Sequence, residues 1–211
     1  MECFSIPTAH YFGDALPQML RFRHRVFVER LHWEAPTEWD GMEFDRYDTP
    51  AATYCVCRDD GGEVIGSIRL KPTTLPYMIG DVWPHLVTRT DVPKSPHVWE
   101  ASRLGVDRRL SPAQRSKVLD QLILAYMEAG LMVGAKQLIA IMPVKFWSKV
   151  FHKRGWPTTP VGPEEIIDGK PCVVATFDVS YELLASIRRT VGIHSRVLVT
   201  ADDLAYGVAA E

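Results

Sequence analysis

No apolar run in these 211 residues approaches the ~18 needed to cross a bilayer, and the opening MECFSI lacks the positively charged start of a secretory signal. The expectation is a cytoplasmic protein that engages no membrane. Cysteine is sparse. Cys3, Cys55, Cys57 and Cys172 are scattered, there is no C-x-x-C or H-x-x-x-H, and no His/Cys cluster has zinc spacing, so neither a disulfide framework nor a metal is expected. Repeats, low-complexity tracts and linkers are also missing, and residues 1–211 read as a single domain. An excess of basic charge is lacking too: the formal net charge is −2, and without a recognisable nucleic-acid module no nucleic-acid partner is expected.

What is present is unevenly charged. From Glu29 to Glu63 there are ten acids and three arginines, whereas from Arg103 to Arg154 there are ten Lys/Arg and three acids. The first stretch favours a cation and the second an anion or an acidic protein, unless both are simply solvated faces. Leu16, Met19, Leu20, Val26 and Phe27 recur at helical spacing, predicting one amphipathic helix near 15–31 with Asp14 as its cap. Trp33 to Pro50 reads as irregular and too polar for a core element. Tyr54–Arg58 and Val64–Leu70 read as strands joined by a turn at Asp59–Gly62. His97–Val106, Gln137–Met142 and Cys172–Val179 read as further strands, with helices from Pro112, over Val144–Arg154 and over Tyr181–Arg189. Interleaved strands and helices with one sure hairpin define an α/β chain with a mixed sheet flanked by helices.

Three clusters could carry chemistry. Arg23, Phe27 and Trp33 place an arginine beside aromatic faces, which suits a ligand with a cationic or apolar body and a carboxylate; core aromatics beside a surface arginine fit the spacing as well. Glu43, Asp45 and Asp48 lie in MEFDRYD, where extended chain puts Glu43 and Asp45 on one face, although acidic loops are usually solvated. In WEASRLGV, Glu100 and Ser102 project to one face of a strand and Arg103 to the other. Charge inside a strand is costly unless paired or in a cleft, and Arg69 on the preceding strand raises the same question.

The strings RFRHRVFVERLHW, MEFDRYD, IRLKPTT and WEASR occur in that order, and together they resemble the acyl-homoserine-lactone synthase (autoinducer synthase) family. The family's motif positions fall on Arg23, Phe27, Trp33, Asp45, Asp48, Arg69, Glu100 and Arg103, densely over residues 20–106 and more weakly beyond. The resemblance implies a fold similar to the GCN5-related N-acetyltransferases, with central strands that splay to admit a thioester arm. His97–Val106 and Gln137–Met142 are the expected splayed pair. The glycine-rich loop that such enzymes carry at the following helix is replaced here by VDRRLSPAQRSK.

By the same resemblance the substrates are S-adenosylmethionine and an acyl thioester, carried by acyl carrier protein or coenzyme A, with no cofactor besides. Glu100 is the implied general base. Arg103, Asp45 and Arg69 stand with it as catalytic candidates, and Arg23, Phe27, Trp33, Asp48 and Ser102 as substrate-binding ones. Members that prefer 3-oxo chains carry a threonine on the second splayed strand. Here AIMPVKFW offers Met142, Phe146 and Trp147 and no hydroxyl, so an unsubstituted, short, branched or aromatic acyl group is expected. Two other readings stay open: an acyl-CoA-dependent N-acyltransferase with another amine acceptor, and a non-catalytic module that senses an acyl ligand.

Overall fold

A computed structural model describes residues 1–32 and 37–206, with side chains from residue 39 onward in the second stretch. In chain order the elements are β1 (Glu2–Ser5), α1 (Ala15–Arg23), β2 (Thr37–Trp39), β3 (Met42–Phe44), β4 (Thr53–Arg58), β5 (Val64–Pro72), α2 (Met78–Val82) and β6 (Val98–Val106). They continue with α3 (Pro112–Met132), β7 (Gln137–Pro143), α4 (Val144–Val150), β8 (Thr159–Ile167), β9 (Lys170–Asp178), α5 (Tyr181–Val191), β10 (Val199–Thr200) and α6 (Ala201–Ala205). Hydrogen bonding orders eight strands as β10-β1-β4-β5-β6-β7-β9-β8, an open mixed sheet, and β2 and β3 form a separate hairpin. Among the described residues no helix is long and apolar enough to cross a membrane. The chain divides into two compact units, with boundaries inside β5 after Arg69 and inside β6 after Ser102.

The first unit comprises residues 1–69, 103–125 and the C-terminal stretch from Arg196. Here β1 runs antiparallel to β4, with Cys3 opposite Cys55, and parallel to β10. Its sheet is covered on both faces. A Cβ on Gly66 would stand 2.8 Å from Val118 of α3, and one on Gly105 would stand 3.2 Å from Phe22 of α1, so the two glycines admit a helix to opposite sides. Phe22 and Val26 are buried with Phe4, Phe12 and Tyr54, each full burial contributing about 1.5–3 kcal/mol before entropy.

The helix expected over 15–31 changes its winding. It is α-helical only to Arg23 and continues over His24–Glu29 in the wider π form. Asp14 stands at its N-cap position, but its side chain caps no backbone N–H of the helix; its carboxylate accepts from the side chains of Gln18 and Arg58 instead. The stretch expected to be irregular, residues 33–50, contains the β2–β3 hairpin, in which Thr37 pairs with Phe44 and Trp39 with Met42.

Along the β5–β6 ladder, Asp107 N–H donates to Ile65 O and Thr73 N–H to Val98 O. Eight residue steps on the β5 side are thus matched by nine on the β6 side. The surplus residue is Arg103, whose φ of 53° lies in the left-handed region, so β6 carries a bulge there.

In the second unit, residues 70–102 and 126–195, β7 runs parallel to β6 for three pairs only, from Val98–Gln137 to Glu100–Ile139. Beyond Glu100 and Ile139 the two strands part, while β7 stays paired to β9 along its whole length. The expected splayed pair is thereby realised. Strand β8 was not anticipated from sequence; it pairs antiparallel with β9 and slips register between Pro160 and Glu164. Trp147, Phe151, Trp156 and Phe177 pack with ring centroids 4.8–5.9 Å apart. Helix α5 is capped by Ser180, whose hydroxyl accepts from Leu183 N–H.

The segment Pro84–Arg89 lies against β8 through the N–H groups of Thr88 and Arg89, both donated to Val161 O. A Cβ on Gly162 would fall 1.8 Å from Leu86 O, a backbone atom with no room to yield. Gly162→Ala should therefore displace this segment, with Leu86 and Val87 leaving their core cluster. The expected cost is about 2 kcal/mol or more, read as a fall in Tm of roughly 5 °C or more. An unchanged melting curve would show that the segment is not held this way.

Candidate active site

The first unit buries six charged side chains in mutual contact. Arg23 donates Nε to Glu43 Oε2 at 2.6 Å, and Nη1 and Nη2 to the two oxygens of Asp48 at 2.8 and 2.9 Å. Arg69 donates to Asp45 Oδ1 at 2.7 Å, to Asp45 Oδ2 at 3.1 Å and to Asp48 Oδ1 at 2.8 Å. Arg103 reaches Glu43 Oε1 at 2.9 Å and Asp45 Oδ2 at 2.6 Å. Three guanidiniums thus meet three carboxylates, and side-chain exposure is 6% or less for each. Tyr54 donates its hydroxyl to Asp48, the Asp45 N–H also donates to Asp48, and the Tyr47 N–H donates to Asp45.

The elements explain the assembly. Helix α1 ends on Arg23, β3 delivers Glu43, the turn after it delivers Asp45 and Asp48, and β5 delivers Arg69. Regular alternation along β6 would send Arg103 away from the face of Glu100 and Ser102. The bulge re-aims it, and Arg103 shares Asp45 with Arg69 instead. Its guanidinium also lies over the Phe27 ring, 5.6 Å from the centroid.

Burial alone would raise the Asp48 carboxyl pKa, but Arg23 and Arg69, with hydrogen bonds from Arg23 and the Asp45 backbone, hold it well below the usual carboxylate range. Glu43 and Asp45 are likewise lowered: burial opposes ionisation and the facing arginines outweigh it. Burial works against the charges of Arg23 and Arg69, and the facing carboxylates hold both above the usual arginine value.

Other expected residues lie elsewhere. Glu100, fully buried in the second unit, accepts Ile79 N–H at 2.7 Å on Oε1 and Met78 N–H at 3.2 Å on Oε2, at the start of α2. Ser102 is also buried there, and its carbonyl accepts the Tyr126 hydroxyl at 3.0 Å. Met142 lies on β7 opposite Val173. Trp147 is a core residue whose indole N–H donates to Val173 O, whereas Phe146 beside it is 49% exposed. Trp33 lies outside the described residues. Glu43, noted in the acidic cluster but given no role, bridges Arg23 and Arg103; its place two residues before Asp45 was the available signal.

Residues 11–187 match the family model described as autoinducer synthase. The chain is 35% identical over 198 residues to the isovaleryl-homoserine lactone synthase of Bradyrhizobium diazoefficiens, covering 93% of this chain and 88% of that protein. The solved structure of a CoA-dependent acyl-homoserine lactone synthase, BjaI, with SAM and isopentyl-CoA aligns with a TM-score of 0.84 at 34% identity over 94% of this chain and 92% of that one. At the level of fold alone, an N-acetyltransferase structure from Lactobacillus plantarum aligns with a TM-score of 0.50 at 18% identity, covering 79% and 93% of the two chains. This chain belongs to the autoinducer synthase family, and it is an acyltransferase of the acyl-homoserine-lactone synthase class.

Removing one carboxylate should uncover two buried arginines at once. Asp48→Asn is expected to cost about 3–5 kcal/mol, measured by denaturant unfolding. Ordinary carboxylates titrate near pH 4, and lower folded values mean that the unfolded chain binds more protons as the solution is acidified. The network's contribution should be complete above about pH 5 and be lost as the pH falls through the lowered values. A Tm that does not decline below pH 4 would contradict the ionised network.

Proposed function

We propose that this protein makes an acyl-homoserine lactone from S-adenosylmethionine and a short branched or aromatic acyl-CoA, releasing methylthioadenosine. The observation that carries this reading is the likeness, over nearly the whole chain, to an isovaleryl-homoserine lactone synthase and to a CoA-dependent synthase solved with SAM and isopentyl-CoA. On this reading residues 1–211 act as one catalytic domain in the cytoplasm. The methionyl amine attacks the thioester carbonyl, forming the amide and expelling the thiol. The methionyl carboxylate oxygen then attacks the γ-carbon, breaking its bond to the sulfonium sulfur and closing the lactone.

The site residues divide these tasks. The balanced network of Arg23, Arg69, Arg103, Glu43, Asp45 and Asp48 is a rigid frame, because its charges are already spent on one another. Phe27 and Trp33 are the aromatic candidates for the sulfonium nucleoside, an interaction of about 0.5–2 kcal/mol. Glu100 takes the amine proton, directly or through a water. The parting of β6 and β7 fits a thioester arm, and the hydroxyl-free AIMPVKFW stretch fits a donor without a 3-oxo group.

Purified protein should be incubated with S-adenosylmethionine and matched acyl-CoA and acyl-carrier-protein panels spanning branched, aryl, straight and 3-oxo chains, with methylthioadenosine and lactone read by mass spectrometry. Branched or aryl acyl-CoA is expected to turn over fastest. A clear preference for a long 3-oxo donor, or for the carrier protein, overturns that part of the reading, and acylation of another amine without methylthioadenosine overturns the whole. Glu100→Gln should lower kcat about 100-fold while changing the S-adenosylmethionine KM less than about threefold.

A further inference from the structure

Lysine is almost never fully buried unless its charge is compensated. Lys71 is 1% exposed, next to the C-terminal end of β5, a strand on which every residue is buried. Side chains alternate along a strand, so Lys71 shares the face of Arg69 and not that of Leu70. The bond from Thr73 N–H to Val98 O sets the register on this side of the bulge, and two steps along each antiparallel strand bring Lys71 directly opposite Glu100. Opposed residues project to the same face, with Cβ atoms about 4.5–5.5 Å apart. A fully buried lysine therefore stands across the ladder from a fully buried glutamate.

The surroundings of Glu100 give this placement its meaning. The start of α2 supplies the N–H groups of Met78 and Ile79, and β7 supplies the apolar Ile139. Tyr77 has its hydroxyl on Pro93 O, and burial, reinforced by the negative charges of Glu100 and Asp81, pushes its pKa up to about 12. On its own strand Glu100 is followed by Ser102 and Arg103, and on β5 Lys71 is preceded by Arg69. Among these groups Lys71 is the cation that the register of β5 sets directly opposite Glu100.

We propose that Lys71 is a positioning residue for the acyl-transfer reaction: its ammonium holds the Glu100 carboxylate ionised and oriented so that it can receive the amine proton. The proposal rests on the reading of Glu100 as the general base and goes beyond it, because it makes the base a two-residue device spread over adjacent strands.

Lys71→Met should lower kcat about 10-fold near neutral pH and move the acid limb of the kcat/KM profile for S-adenosylmethionine upward by about half a pH unit or more, since a carboxylate that loses a neighbouring positive charge protonates more readily. Lys71→Arg should keep the wild-type limb. The loss from Lys71→Met should vanish when Glu100 is already Gln, whereas a merely structural role would add its loss to that of Glu100→Gln. A folded Lys71→Met enzyme with the wild-type profile, or additive losses in the double variant, overturns the proposal while leaving the synthase reading intact. If Lys71→Met fails to fold, a shifted limb in Lys71→Arg overturns it and an unshifted one supports it. A wild-type chain that forms no lactone from any donor overturns the synthase reading first, and this inference with it.

Discussion

Charge cancellation inside a low-dielectric interior is the constraint on which the first unit depends. An isolated buried guanidinium or carboxylate costs several kcal/mol, and Arg23, Arg69, Arg103, Glu43, Asp45 and Asp48 are tolerable together only because each has partners of opposite sign at hydrogen-bond distance. Helix α1, hairpin strand β3, β5 and β6 each contribute a member, so the network ties these elements to one another. It also accounts for the bulge in β6. Without the extra residue at Arg103, that guanidinium would point away from Asp45.

Much of this was legible in the amino-acid sequence and some was not, for physical reasons. The helix from Pro112 and the strands around Ile68 and Ile139 are legible from local sequence, and they formed as expected. Taken alone, the acidic cluster of Glu43, Asp45 and Asp48 reads as solvated loop, because its stabilisation comes from arginines far away in sequence, which no local window contains. Strand β8 contains Pro160 and Pro163 and the acids Glu164 and Glu165, a composition that argues against a central strand but is acceptable at the sheet edge, where β8 lies. Arg103 was assigned to the wrong face because alternation assumes a regular strand. Trp147, a candidate for the acyl group that could equally be a core residue of its short helix, packs against Phe151 and Phe177.

The comparisons and the geometry inform different levels. Similarity at 18% identity to an N-acetyltransferase speaks for the sheet architecture and nothing finer. The family assignment rests on residues 11–187, and the strings that carry it, from Arg23 to Arg103, supply every charged member of the network. On the proposed reading, chemistry-bearing side chains and fold-defining side chains coincide in this protein. Substitutions within the motifs are therefore expected to perturb folding and turnover together, which makes paired measurements of the two necessary to separate them.

The change of winding after Arg23 has a consequence of its own. A π turn accommodates one residue more than the α-helix it interrupts, and from His24 to Glu29 that surplus rotates everything downstream. Deleting a single residue between His24 and Val26 would favour ordinary winding, yet swing Phe27 by about 100° from its place beneath the Arg103 guanidinium. The helix is in this sense held in a less comfortable pitch by what its far end must face, and a shortened, better-wound version would be the sturdier coil and the poorer neighbour.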